Sequence, residues 1–204
     1  MALQLIEIPE TIKRIPNSDQ AASLIDDAND QIESFMLKDQ EVIENFVNCD
    51  FHLVDQALTW IDQQHLRTGN RFCELGSGFG VVTMLAALRG MQAVGIEIEA
   101  VLVDQSIQLA AALELPAKFC CGSFIPRHLE SISEAACEIQ HVDVQVGDVY
   151  EEAGWAMDEF DLFFAFPWPG ENHFFESVFA AGAAEGAMLL TYGGREGMSL
   201  VRKI

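Results

Sequence analysis

The chain has 204 residues, half of them hydrophobic, and carries 32 acidic residues against 11 Lys and Arg, for a formal net charge of −21. That length and apolar content suit one globular domain with an appendage and a sizeable core, and exclude a disordered chain. The charge argues against nucleic acid and anionic membranes as partners, because the few basic residues are scattered and no patch of them overrides the repulsion; solubility is the plainer reason for the acidity.

The N-terminus, Met1 to Ile8, lacks the basic start of a signal peptide. No apolar run reaches the roughly 18 residues a membrane span needs, so a cytoplasmic protein is expected. Residues 2–15 alternate loosely up to Pro16, as a short extended arm or hairpin would. Asn17 and Ser18 then open a helix, with Leu24, Ile25, Ala28, Ile32, Phe35 and Met36 at helical spacing and a repeat at Val42, Ile43, Phe46 and Val47. Residues 1–50 are therefore expected to form a helical appendage. Over about 51–66, Leu53, Val54, Ala57, Leu58 and Ile61 fall on one side of a further helix that Gly69-Asn70 ends.

Arg71-Phe-Cys-Glu-Leu75 is short and mostly apolar, as a buried strand is, and Val81, Val82, Leu85 and Leu88 follow at helical spacing. Between them stands Gly76-Ser77-Gly78-Phe79-Gly80, a turn whose backbone can approach a ligand and whose following helix points free N–H groups at it. A dinucleotide fingerprint, G-x-G-x-x-G, would place the third glycine one residue later and a pyrophosphate over the helix end. Glu74, just ahead of this turn, would repel a pyrophosphate but suits a ligand with an ammonium group. Val94-Gly-Ile-Glu97 follows as a second strand ending in an acid, seventeen positions after Gly80, where a Rossmann-like sheet offers a carboxylate to ribose hydroxyls.

Glu74-Leu-Gly-Ser-Gly-Phe-Gly80 resembles motif I of the class I S-adenosylmethionine (SAM)-dependent methyltransferases, acidic-x-Gly-x-Gly-x-Gly. The resemblance implies an α/β, doubly wound, mostly parallel sheet over 51–204. It further implies SAM held by Glu74, Gly76, Ser77, Gly78 and Gly80, with Glu97 on the ribose. The same loop is similar to that of histone lysine methyltransferases lacking a SET domain, for which a basic protein would be the acceptor.

Residues 100–114 pattern as a buried helix ended by Pro116, and Lys118-Phe-Cys-Cys121 as a third strand running into Gly122-Ser123-Phe124. In the family that place lies near the adenine amine and commonly holds an acid or polar residue. Ser123 and Phe124 keep the usual distance from Glu97; the rival is Asp148, which closes the alternating stretch Val142, Val144, Val146, read as an inserted strand or loop. Asp161 to Phe166 reads as a buried strand that leaves as a stiff Pro167-Trp168-Pro169 shelf, with Glu171 beyond. The shelf stands where the family keeps motif IV and loosely resembles its (Asp/Asn/Ser)-Pro-Pro-(Tyr/Phe) loop. Phe166 replaces the polar residue that accepts from a target amine, so methylation of bases or glutamine is not supported. Phe166, Pro167, Trp168 and Glu171 remain the acceptor-side candidates. Trp168 either stacks on a flat or cationic acceptor or plugs the core, and Glu171 more simply caps the next helix than takes a proton.

His52, His65, His128, His141 and His173 form no ligand cluster, and Cys49, Cys73, Cys120, Cys121 and Cys137 show no zinc spacing, so no metal is expected and the thiols are read as reduced and structural. Gly186 to Tyr192 is a further buried strand, and the tail has room for only one more short strand or an edge, where a full class I sheet has seven strands with an antiparallel last hairpin. In related enzymes an N-terminal appendage often covers the substrate side; a packing layer or homodimer surface is the other reading of residues 1–50. Three functions follow from these features: methyl transfer to a small molecule or protein side chain, SAM binding without transfer, and nicotinamide-dependent oxidoreduction, which Gly80 disfavours.

Overall fold

The protein is described by a computed structural model for residues 2–38, 47, 49–126, 129, 149–194 and 197–204. The alternating stretch Val142 to Val146, Asp148, Cys137 and the helical repeat at Val42, Ile43 and Phe46 lie outside these residues.

The short apolar runs become the strands β1 Leu3–Ile6, β2 Arg71–Leu75, β3 Gln92–Glu97, β4 Lys118–Cys121, β5 Leu162–Ala165, β6 Met188–Tyr192 and β7 Met198–Lys203. They form one seven-stranded sheet in the order β1-β7-β6-β5-β2-β3-β4. The five strands from β2 to β6 are parallel and wind outwards both ways from β2 and β5, which is the doubly wound order. β7 returns antiparallel beside β6, and β1 pairs antiparallel with β7, Leu3 opposite Lys203 and Ile6 opposite Leu200. The seventh strand is thus supplied by the N-terminus, which explains how so short a tail completes the sheet.

Consecutive side chains of a strand point to opposite faces, and both faces here are covered, so β5 is apolar throughout. Phe164 and Leu190 join a core with the helices α1 Asp19–Lys38, α2 Phe51–Gln63, α3 Val81–Leu88 and α4 Ala100–Ala112. Phe163 and Leu189 face the other way, towards α5 Val149–Ala153 and α6 Asn172–Gly182. Ser18 accepts a hydrogen bond from the Ala21 N–H (3.1 Å) at the start of α1, and Asp50 accepts from the Leu53 N–H (3.0 Å) at the start of α2. Ala21, Leu24, Ile25, Ala28 and Ile32 are buried in the same core as Leu58 and Leu85, so α1 shares its packing with the sheet. Among the described residues no helix is long and apolar enough to cross a membrane.

A buried ion pair ties α2 to the far end of α3. Asp55, 1% exposed, faces Arg89, whose guanidinium also donates to Thr59 Oγ1 (2.9 Å), while Asn17 Nδ2 donates to the second Asp55 oxygen at 2.6 Å. Removing one partner strands a charge away from water. Arg89→Met is therefore expected to cost about 3–5 kcal/mol of stability in urea unfolding; a cost below about 1 kcal/mol would show that the pair is dispensable.

Candidate functional site

β2 stops because Gly76, Gly78 and Gly80 all take left-handed backbone angles (φ 76, 52 and 70°), which turns the chain into the first N–H groups of α3. At Gly80 the lack of a side chain is also a packing need, since a Cβ there would lie 2.2 Å from the Phe119 ring. Gly76 is different: a Cβ would meet nothing within 4 Å, so the crest of the turn is open.

The turn is held against β3 from several sides. Gly76 and Ser77 both donate their N–H to the Ile96 carbonyl at 2.9 Å. Ser106 of α4 donates to the carbonyls of Gly78 (2.8 Å) and Leu102 (2.9 Å) in a shared bond. Gly95 lies beneath, where a Cβ would come within 2.9 Å of Phe119, Thr83 Oγ1 and Ser77 Cβ. Phe35 of α1 closes the outer side, edge-on to Phe79 at 5.3 Å.

Glu97 completes the clamp. It is 8% exposed, and its carboxylate accepts from three backbone N–H groups: Gly78 (2.8 Å), Ile98 (2.7 Å) and Glu99 (3.0 Å). A carboxylate offers about four lone-pair directions, so roughly one remains for a ligand hydroxyl. Burial raises its pKa, and the three donors pull the other way.

Glu74 has less support. It is 4% exposed, and a single oxygen, Oε2, accepts from both the Thr83 N–H (2.8 Å) and the Thr83 hydroxyl (2.5 Å) in the first turn of α3. Burial lifts its pKa to about 8, Thr83 opposes the rise, and Glu97 adds to it. Among the described residues neither acid has a basic partner. Ser77, between them in sequence, has a buried hydroxyl with no hydrogen-bond partner, which marks the turn as short of one polar ligand.

The other sequence-derived residues stand around this centre. The Gly122 N–H donates to the Glu97 carbonyl at 2.9 Å, which sets Ser123 and Phe124 beside the β3 end. The Ser123 hydroxyl accepts from Ile125 N–H (3.3 Å), and Phe124 stacks on Phe175 at 5.2 Å, with its carbonyl accepting from the Tyr150 hydroxyl at 2.7 Å. Phe166 is half-buried at the end of β5 and tilts against Tyr192 at the end of β6, 5.0 Å between ring centroids. Pro167 is buried, but Trp168 is 37% exposed and does not plug the core. Glu171 occupies the capping position of α6, yet its side chain makes no capping bond; only its carbonyl serves, accepting from Phe174 and Phe175.

Three positions missed in the sequence join the site. The Cys49 thiol is pushed well up by burial and by the charge of Glu74, and the Tyr192 hydroxyl is raised by burial and by Asp50 and Cys49. Cys49 is thus a neighbour of Glu74, and Cys49 and Asp50 are neighbours of Tyr192. Ser106, the anchor of the turn, sits on α4 with no local signal beyond being a small polar residue on an apolar helix. Cys49, Cys73, Cys120 and Cys121 are free thiols, and among the described residues no group of His, Cys, Asp and Glu could hold a metal ion.

No protein-family model matches this chain, and no curated protein matches it. Solved structures do. An RNA methyltransferase from Salinibacter ruber in complex with S-adenosyl-L-homocysteine is 20% identical, with 77% of this chain and 92% of that one covered and a TM-score of 0.52. A hypothetical protein from Thermus thermophilus is 15% identical, covering 80% and 92%, with a TM-score of 0.53. An O-methyltransferase from Bacillus cereus, also complexed with S-adenosyl-L-homocysteine (SAH), is 12% identical over 89% and 69%, with a TM-score of 0.53. At such identities the likeness shows the fold, that of the Rossmann-like methyltransferases.

Glu74 leaves a signature in stability. A carboxyl raised to about 8 in the folded state keeps its proton where the unfolded chain has already lost it, so from about pH 4.5 to 8 stability falls as pH rises. Glu74→Gln keeps the acceptor for Thr83 and removes that titration. The variant is expected to match the parent near pH 4.5 and to exceed it by about 1 kcal/mol or more at pH 8 in urea unfolding; parallel curves would show that Glu74 is ionised throughout.

Proposed function

We propose that this chain is a SAM-dependent methyltransferase acting on a small molecule or a protein side chain. One observation carries the reading: the bare crest of the glycine turn, open over Gly76 and flanked by Glu74 and Glu97, stands between β5 and β3 where the winding of the sheet reverses. In open α/β sheets ligands bind at that crevice.

The residues present suit SAM. Among the described residues Glu74 faces no cation, and it suits an ammonium group; Glu97 retains about one free lone-pair direction for a ribose hydroxyl. The unpaired Ser77 hydroxyl and the α3 N–H groups supply further polar contacts. Ser123 and Phe124, beside the end of β3, are the residues we assign to the adenine side. When bound, SAM supplies an electrophilic methyl on a sulfonium. The protein's part is then to hold an acceptor in line and keep water out, which lowers the barrier by proximity without an obvious base.

Phe166, Pro167, Trp168 and Glu171 remain the acceptor-side assignments, with Tyr192 added because its ring abuts Phe166. Trp168, 37% exposed, carries an indole that suits a flat or cationic group. One structural neighbour is described as an RNA methyltransferase, but a formal charge of −21 argues against a polyanionic acceptor here. A neutral or basic acceptor, up to a basic protein, fits the charge.

Calorimetry with SAH and with NAD side by side tests the cofactor. SAH is expected to bind and NAD not; Glu97→Ala is expected to weaken SAH at least about tenfold, from the lost ligand bond and the loosened turn. Tight NAD binding without SAH binding would overturn the assignment. Transfer of labelled methyl from SAM into a cell extract is expected to give a labelled product, and binding with no product would make the chain a SAM-binding protein without transfer activity.

A further inference from the structure

We propose that ligand binding at the glycine turn is coupled to ionisation of Glu74: the ammonium group of the ligand replaces the proton that Glu74 carries in the free protein, and that proton leaves to solvent. The inference rests on the SAM reading above and adds to it a built-in dependence of affinity on pH.

The geometry separates the two acids of the site. Glu97 spreads its charge over three backbone N–H donors from the turn and from the start of the β3–α4 connection. Among the described residues Glu74 accepts hydrogen bonds from Thr83 alone, whose N–H and hydroxyl both reach the same oxygen. A buried carboxylate with so few donors is costly to ionise, and neutral is its cheaper state until a cation arrives.

Among the described residues the titrating neighbours offer no positive charge: Glu97 adds to the rise in the Glu74 pKa, and the raised thiols of Cys73 and Cys49 stay neutral. Cys73 precedes Glu74 on β2, Glu97 stands on β3, and Cys49 approaches from the stretch ahead of α2. α3 contributes Thr83, and Phe164, opposite on β5, is apolar. Among the described residues no Lys, Arg or His faces Glu74. Its raised pKa, about 8, follows from this setting. Glu74 keeps 4% of its surface exposed, and the backbone two residues on, at Gly76, is open. The exchange balances: a carboxylic acid and a free ammonium become a carboxylate–ammonium pair plus one proton in water.

Calorimetric titration of the full chain with SAH from pH 6 to 8, in buffers of low and high ionisation heat, tests the coupling. Affinity is expected to rise about tenfold or more over that range, and close to one proton is expected to leave per SAH bound near pH 7. Methylthioadenosine, which keeps the nucleoside and lacks the ammonium, is expected to bind with no such rise. Glu74→Gln is expected to bind SAH at no better than the parent's low-pH affinity, with no rise and no proton released. A flat parent profile without proton release overturns the proposal while SAH binding itself still supports the site. An undiminished rise in Glu74→Gln, or the same rise for methylthioadenosine, overturns it by assigning the proton elsewhere. No SAH binding at any pH overturns the reading of the site, and the proposal with it.

Discussion

A glycine-rich turn is the least self-supporting part of a sheet protein, and here its shape is borrowed from the neighbouring strand. The Glu97 carboxylate reaches back to the Gly78 N–H, Ile96 offers its carbonyl to two successive amides, and Gly95 withholds a side chain so that the turn can lie flat on β3. Hydrogen bonds to an ionised group contribute roughly 1.5–3 kcal/mol each, enough to hold three residues whose intrinsic freedom is the largest of any in the chain. Ser106 adds a tie from α4 and Phe35 a lid of hydrocarbon from α1. The order of the crest thus depends on β3 being in register with β2, Glu74 opposite Gly95.

This division of labour explains why two glutamates at the ends of adjacent strands behave differently. Glu97 is a structural clamp first, and only its remaining lone pair faces outward in the accounting of bonds. Glu74 is a helix-end acceptor with an incomplete set of donors. Both are nine-tenths buried or more, so exposure does not separate them. The number of N–H groups that reach each one does.

Much of this was open to reading along the chain, because the signals were local: a change of hydrophobic period across three glycines, an acid at each strand end, a proline stopping α4. What stayed hidden acts across distance. Four residues at Leu3–Ile6 say nothing of their partner, so the strand that completes the sheet looked like an arm. Ser106 and Cys49 are near the site only because α4 and the start of α2 are folded onto it. Gly95 did carry a signal, since a glycine inside a strand marks close backbone approach, but the sequence does not say which residues approach it. Glu171 sat where a capping residue belongs, and its geometry there lets the carbonyl do what the side chain was expected to do.

The placement of charge follows from the same winding. Arg71 and Lys118 open parallel strands, Arg202 and Lys203 close the antiparallel one, Arg67 precedes β2 and Arg89 ends α3, so these cations gather at the amino ends of the parallel strands. There they are occupied: Arg67 with Asp62, Arg71 with Glu159, Arg89 with Asp55, Lys118 with the Glu152 carbonyl. The carboxyl ends hold Glu74 and Glu97 with no basic partner among the described residues. With Glu74 ionised, a crevice with that field attracts a cation and repels a diphosphate, with the α3 N-terminus as a partial offset of about half a charge. The proposed preference for an amino-acid-bearing nucleoside over a dinucleotide then rests on which end of each strand the charges occupy, and not on the glycine spacing alone.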